Sequence, residues 1–236
     1  MKRRLGPGRR CFGFFHKNAS LEPLVFVWEI LSTSTPFSED ELKNAKVAIF
    51  YSINSQPGIA GNEFPNLGTF CTLSPMPLFT TWLKKWLTPD ICENPDMRIT
   101  EEEEKVIAGI VPEAKVWTEG LRRILEDREI AKNVETLNQI RSVILKLGAR
   151  YILKEKRGET KIAFDPVANF HLKNGASVHC INWMADPSSR GIRNSLGLMC
   201  NYNYITDAIE KNNAGYLNEG KIAISGTDLI YKSLDF

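Results

Sequence analysis

The chain has 236 residues, 43% hydrophobic and 25% charged, which is ordinary globular composition and suggests neither disorder nor a repeat array. Its 30 Lys and Arg against 28 Asp and Glu leave no global field with which to attract nucleic acid or an anionic membrane. No apolar run approaches the roughly 18 residues a membrane span requires. The five cysteines (Cys11, Cys71, Cys92, Cys180, Cys200) contain no C-x-x-C pair, which fits neither a disulfide framework nor zinc and points to a reducing compartment.

In chain order, the first 21 residues carry Lys2, Arg3, Arg4, Arg9, Arg10 and Lys17 and no acid, the composition of a mitochondrial transit peptide. Against that reading, Cys11 to Phe15 and Leu24 to Val27 look like strands of a folded domain, which leaves residues 1–9 as a basic, non-core start. Apolar, β-branched runs bounded by Gly, Pro, Asn or Ser predict strands at Pro23 to Ile30, Lys46 to Ile53, Gly68 to Leu73 and Ser177 to Trp183. About 14 residues rich in Gly and Pro (Pro57, Gly58, Gly61, Pro65, Gly68) separate the second and third of these. A parallel crossover needs a dozen or more residues and usually a helix, so either these strands are not parallel neighbours or a helix is missing.

Phe79, Trp82, Leu83, Trp86 and Leu87 recur at helical spacing after Ser74-Pro75-Met76-Pro77, predicting an amphipathic helix that leaves a strand through a rigid turn holding Ser74. Thr100 followed by Glu101 to Glu104 reads as a capping box with acids at a helix start, not as an acidic binding site. Val134, Leu137, Ile140, Ile144 and Leu147 form a further apolar stripe, expected in the core. Around His171, Asp165 at N-cap, Pro166 at the first helical position and Gly175 past the end describe a short helix, with an Asn174-Gly175 hairpin turn as the alternative. The elements amount to an α/β or α+β domain.

The sequence holds no G-x-S-x-G elbow, H-E-x-x-H, Walker loop or G-x-G-x-x-G after a strand, so metal and nucleotide sites have little support. The only histidines are His16, His171 and His179. A single His on a short helix is, taken alone, more often packed or solvated than catalytic.

Read together, three segments alter that balance: Phe70-Cys71-Thr72-Leu73-Ser74-Pro75-Met76-Pro77, Asp165 through Ala176, and Ile181 to Asp186 running into Gly197 to Tyr204. In order and interval they resemble malonyl-CoA decarboxylase, from about Arg10 to about Lys221. The resemblance implies an acetyltransferase-like (GNAT) mixed sheet flanked by helices, here incomplete, and a catalytic domain over residues 1–236 without the helical domain that precedes it in the family. It implies that Ser74 and His171 occupy the catalytic Ser and His positions, with Tyr204 and Asn174 close by and Thr72 as a second hydroxyl beside Ser74. It also implies malonyl-CoA and acetyl-CoA as substrate and product, no nucleic-acid or membrane partner, a mitochondrial or cytoplasmic location, and compatibility with a homo-oligomer. The C-terminal Ser233-Leu234-Asp235-Phe236 is not the S-K-L signal of a peroxisomal protein.

Decarboxylation of malonyl-CoA leaves an enolate that the thioester itself delocalises, so no cofactor and no metal is expected. The protein must supply oxyanion stabilisation and one proton. The expected roles are His171, as an imidazolium, giving the proton and Ser74 bonding the carboxylate or enolate.

The chain departs from the family after Ser55-Gln56-Pro57-Gly58-Ile59-Ala60-Gly61. The family continues from this turn into a helix whose N-terminal amides hold the CoA pyrophosphate; here the turn runs directly into Asn62-Glu63-Phe64-Pro65. Gly58, Ala60 and Gly61 are the expected CoA-binding residues that remain. Glu63 does not match the carboxylate that the family places near the Ser and His. Leu78 stands where a small Gly is usual, adding bulk beside the Ser74 turn. A skipped exon, a faulty gene model or a degenerate paralogue would each produce this pattern. The alternatives to an active decarboxylase are a non-catalytic acyl-CoA-binding protein and a GNAT-type acyltransferase.

Overall fold

The computed structural model describes residues 9–14, 25–30, 48–55, 69–88, 97–127 and 133–226. Strands β1 (Arg9–Phe14), β2 (Val25–Ile30), β3 (Ala48–Ser55) and β4 (Thr69–Pro75) come first, followed by helices α1 (Phe79–Trp86), α2 (Glu101–Ile110), α3 (Trp117–Glu126), α4 (Val134–Gln139), α5 (Arg141–Leu153) and α6 (Pro166–Lys173). The chain continues through β5 (Ser177–Asn182), α7 (Ser189–Ser195), β6 (Met199–Ile205), a 3-10 turn and α8 (Ile209–Glu219). This is a mixed α+β chain with one six-stranded sheet ordered β1-β2-β3-β4-β6-β5.

The described residues fall into two units. The first contains the strands up to Ser74, His171–His179 and Cys200–Ser225; the second contains Pro75–Phe170 and Cys180–Met199.

In the first unit β1 and β2, and β2 and β3, pair antiparallel, with a register irregularity between Trp28 and Glu29. β3 and β4 pair in parallel, Ala48 opposite Phe70, Ile49 opposite Cys71 and Phe50 opposite Thr72. Of the two explanations for the short connection, the pairing removes the one in which these strands are not parallel neighbours. The connection itself, residues 56–68, lies outside the described residues, and with it Gly58, Ala60, Gly61 and Glu63. At the other end of the unit Val178 N–H donates to the Ala223 carbonyl at 2.8 Å and Ser225 N–H to the Val178 carbonyl at 2.9 Å, laying the chain after α8 along β5.

The second unit is helical. Phe79, Leu83, Tyr151, Leu121, Ile144 and Leu147 are all fully buried. Tyr151 is the hub of its aromatic cluster, with ring centroids 5.5 Å from Phe79 and 5.2 Å from Trp82. The periodicity predicted after Ser74 is therefore a core face. The capping box is also present: Thr100 N–H donates to Glu103 Oε2 at 2.8 Å, and Glu103 N–H to Thr100 Oγ1 at 3.3 Å. Glu103 then pairs with Lys146 at 2.8 Å, so one of the four acids has a second structural role.

The apolar stripe expected in the core is buried at four of its five positions, Val134 being the exception. The stripe from Val134 to Leu147 is not one helix face. Ile140 leaves helical geometry at φ −92°, ψ 9°, dividing α4 from α5. Leu78, beside the Ser74 turn in sequence, is 40% exposed.

Candidate active site

The site is assembled on one face of the sheet by the period of two along a strand. Thr72 and Ser74 lie two residues apart on β4, as do Tyr202 and Tyr204 on β6, so each pair projects to a single side. β4 and β6 are neighbours in the sheet. Asn201 Nδ2 donates to the Thr72 carbonyl at 2.8 Å, both residues being buried, and ties the two strands together beside the paired hydroxyls.

His171 comes from α6. The helix begins as its residues predict: Asp165 Oδ1 accepts from the N–H groups of Val167 and Ala168, each at 2.8 Å, while Tyr151 Oη donates to Asp165 Oδ2 at 2.8 Å. Burial is the leading cause that raises the Asp165 carboxyl above the ordinary range, opposed by these bonds. The helix ends in a Schellman turn, not a hairpin. Ala176 N–H donates to the His171 carbonyl at 3.1 Å and Gly175 N–H to the Leu172 carbonyl at 3.0 Å, with Gly175 left-handed at φ +81°. Helix α8 holds this end. Asn213 Nδ2 donates to the Lys173 carbonyl at 2.6 Å and Asn212 Nδ2 to the Gly175 carbonyl at 3.2 Å. These bonds satisfy carbonyls that a helix C-terminus leaves open.

The result is a chain of polar groups across 97 residues of sequence. Ser74 Oγ lies 2.8 Å from His171 Nε2 and donates to Thr72 Oγ1 at 3.2 Å. On the other side of the ring His171 Nδ1 lies 2.7 Å from Tyr204 Oη. Tyr202 stacks on the imidazole, centroids 4.4 Å apart and planes at 19°, while Tyr204 meets it edge-on. Ser74 is in the last residues of β4 rather than in the turn that follows.

Burial penalises charge on these groups. It pushes the imidazole of His171 down to about 4 and the phenol of Tyr204 above its ordinary range. At neutral pH the resting His171 is thus a neutral imidazole, which corrects the expectation of a standing imidazolium. Such a ring, held between two hydroxyls and stacked on a third aromatic, can pass or accept a proton without carrying a permanent charge.

Of the expected residues, Ser74, His171 and Tyr204 come together. Asn174 is exposed in the turn after α6, its N–H donating to the His171 carbonyl at 3.1 Å. Tyr202 and Asn201 were not singled out as site residues. The signal for Tyr202 was present in the Asn201-Tyr202-Asn203-Tyr204 alternation, which places both tyrosines on the same face once the segment is known to be a strand. Among the described residues no group of three or more His, Cys, Asp or Glu is arranged to hold a metal. None of their helices is long and apolar enough to cross a membrane.

Comparison with known proteins places the chain in a family. The family model of the malonyl-CoA decarboxylase C-terminal domain matches residues 1–233. The mitochondrial malonyl-CoA decarboxylase of Rattus norvegicus is 37% identical over 256 residues, covering 95% of this chain and 51% of that protein. That of Anser anser anser is 34% identical over 264 residues, covering 99% and 51%. Crystal structures of malonyl-CoA decarboxylases from Agrobacterium vitis (TM-score 0.66, 30% identity, 99% of this chain and 58% of that one) and Rhodopseudomonas palustris (TM-score 0.61, 31%, 99% and 55%) are similar in fold. The chain spans about half the length of the curated relatives it matches. Since 95% of 236 residues is about 224, about 32 of the 256 positions aligned with the rat protein have no counterpart here.

Proposed function

Because the chain belongs to the malonyl-CoA decarboxylase family, we propose that it carries the catalytic half of such an enzyme, converting malonyl-CoA to acetyl-CoA and carbon dioxide. The observation that carries this reading is the Ser74–His171–Tyr204 constellation, with Ser74 Oγ 2.8 Å from Nε2 and Tyr204 Oη 2.7 Å from Nδ1. When substrate binds, its carboxylate or enolate oxygen takes the place of Thr72 Oγ1 as the acceptor of the Ser74 hydroxyl proton. Breaking the bond between the α-carbon and the carboxylate releases carbon dioxide and leaves the electron pair on the enolate. His171 then gives a proton to carbon, and solvent restores it. The enolate of a thioester is basic enough to take that proton from a neutral imidazole, so no prior charge on the ring is needed.

Residues 1–236 are read as an acetyltransferase-like catalytic domain, and the names of the mitochondrial relatives support a mitochondrial location. At the CoA end we assign Gly58, Ala60 and Gly61 to the pyrophosphate and Asn174 to the neighbourhood of the acyl group. The shortened β3–β4 connection favours a second reading, a catalytically impaired acyl-CoA-binding relative, because helix N-terminal amides are what grip phosphate. The test is carbon dioxide release from malonyl-CoA by the purified chain and by His171→Ala. Turnover lost in the variant supports the decarboxylase, while equal turnover refutes the assignment of His171. Binding without turnover in the parent chain favours the second reading. On either reading CoA should bind more weakly than micromolar, and calorimetry finding micromolar affinity would show the phosphate grip to be intact.

A further inference from the structure

Counting protons along the buried hydroxyls gives a direction to the site. Ser74 owns one hydroxyl proton, and Thr72 Oγ1, 3.2 Å away, is placed to accept it. With its proton on Thr72, the Ser74 oxygen faces His171 Nε2, 2.8 Å away, as an acceptor, and that nitrogen carries the hydrogen. A neutral imidazole has only one such hydrogen. Nδ1 is left bare and accepts from the Tyr204 hydroxyl at 2.7 Å.

We propose that Thr72 is a positioning residue that selects the tautomer of His171: by taking the Ser74 proton it orients the chain Tyr204 to His171 to Ser74 to Thr72, so that Nε2–H rather than a lone pair is presented beside Ser74. The structure supports this role in three ways. Thr72 is buried and lies two residues from Ser74, on the same face of β4. Its backbone is held on both sides, opposite Phe50 in the register of β3 and by Asn201 Nδ2 on its carbonyl. Its β-branched side chain has few rotamers, so a pinned backbone also pins the hydroxyl.

The choice of tautomer separates an acid from a base. If Ser74 gave its proton to His171, Nε2 would offer a lone pair and the ring hydrogen would sit on Nδ1 against Tyr204. An enolate formed at Ser74 would then find no ring proton there. The catalytic consequence rests on the decarboxylase reading; the tautomer itself does not.

The experiment is nitrogen-15 NMR of histidine-labelled, ligand-free protein at neutral pH, with the His171 signals identified by their loss in His171→Gln. In the parent chain His171 should show a protonated Nε2 and a bare Nδ1. In Thr72→Val, which keeps the shape and removes the acceptor, the Ser74 proton turns toward the ring and the hydrogen moves to Nδ1. Steady-state kinetics supplies a second readout. Thr72→Val should lower kcat about tenfold, the loss expected of one oriented hydrogen bond, with KM for malonyl-CoA within about twofold, and Thr72→Ser should restore both the rate and the tautomer. A parent chain with Nδ1 protonated overturns the proposal, as does a Thr72→Val protein with unchanged tautomer and kcat. A parent chain with Nε2–H that shifts in Thr72→Val but never turns over malonyl-CoA supports the tautomer assignment and refutes the decarboxylase reading.

Discussion

Acidification should weaken the first unit through His171, and the size of the effect follows from its burial. The imidazole titrates near 6.5 in an unfolded chain and is pushed down to about 4 in the folded one by desolvation. Between those values the unfolded chain binds the extra proton, so stability is fully present above pH 6.5 and is lost as pH falls through the window toward 4. Linkage over that window puts the loss from this residue at about 2 kcal/mol between pH 7 and pH 5, approaching about 3 kcal/mol at pH 4. His171→Phe is the control, because it retains an aromatic ring to stack on Tyr202 but cannot take a proton. The variant will be less stable at every pH, having left Ser74 and Tyr204 without their ring partner. The informative quantity is the slope. Urea unfolding at intervals from pH 7.5 to 5 should show the parent losing about 2 kcal/mol more than His171→Phe across the range. Parallel curves would show that the ring is not buried neutral, and the account of its charge state would fail.

Tyr204→Phe keeps the edge-on ring contact but removes the hydroxyl 2.7 Å from Nδ1; kcat for decarboxylation should fall by about ten- to a hundredfold with little change in KM, read by steady-state kinetics. Gly175→Ala should cost about 2 to 3 kcal/mol in urea unfolding, since φ there is +81° and an added Cβ would meet the Ile209 carbonyl oxygen at 2.3 Å. Thr100→Ala should cost about 1 kcal/mol in the same assay without altering the pH dependence assigned to His171, because it removes only the cap of α2.

Much of the local structure was legible because its signals are carried by a few adjacent residues. The cap at Asp165, the Gly175 terminator, the capping box at Thr100 and the apolar face of α1 each declare themselves within one or two helical turns. Elements without such a signature were missed. Helix α3 has no side-chain cap and contains Gly120, where an added Cβ would come within 2.5 Å of Ile107. Strand β6 was seen only as a family motif, so its alternation and the stacking role of Tyr202 passed unnoticed. Periodicity along the stripe from Val134 does not register the break at Ile140. The CoA-binding turn at Gly58 to Gly61 lies outside the described residues.

For the site, the sequence by itself determined the cast: one serine in its Pro-x-Pro setting, one histidine on a capped helix, and a tyrosine two residues from another. Their meeting was the work of tertiary structure. Parallel pairing of β3 with β4, β6 beside β4 and the two asparagines of α8 place groups 97 residues apart within 2.8 Å. Tertiary structure also decided the charge. An imidazole has the same intrinsic pKa wherever it stands in a sequence, and only burial, here against Tyr202 and between two hydroxyls, keeps it neutral down to about pH 4. Which of its nitrogens holds the proton is then a matter of neighbours, because a hydroxyl can donate only once.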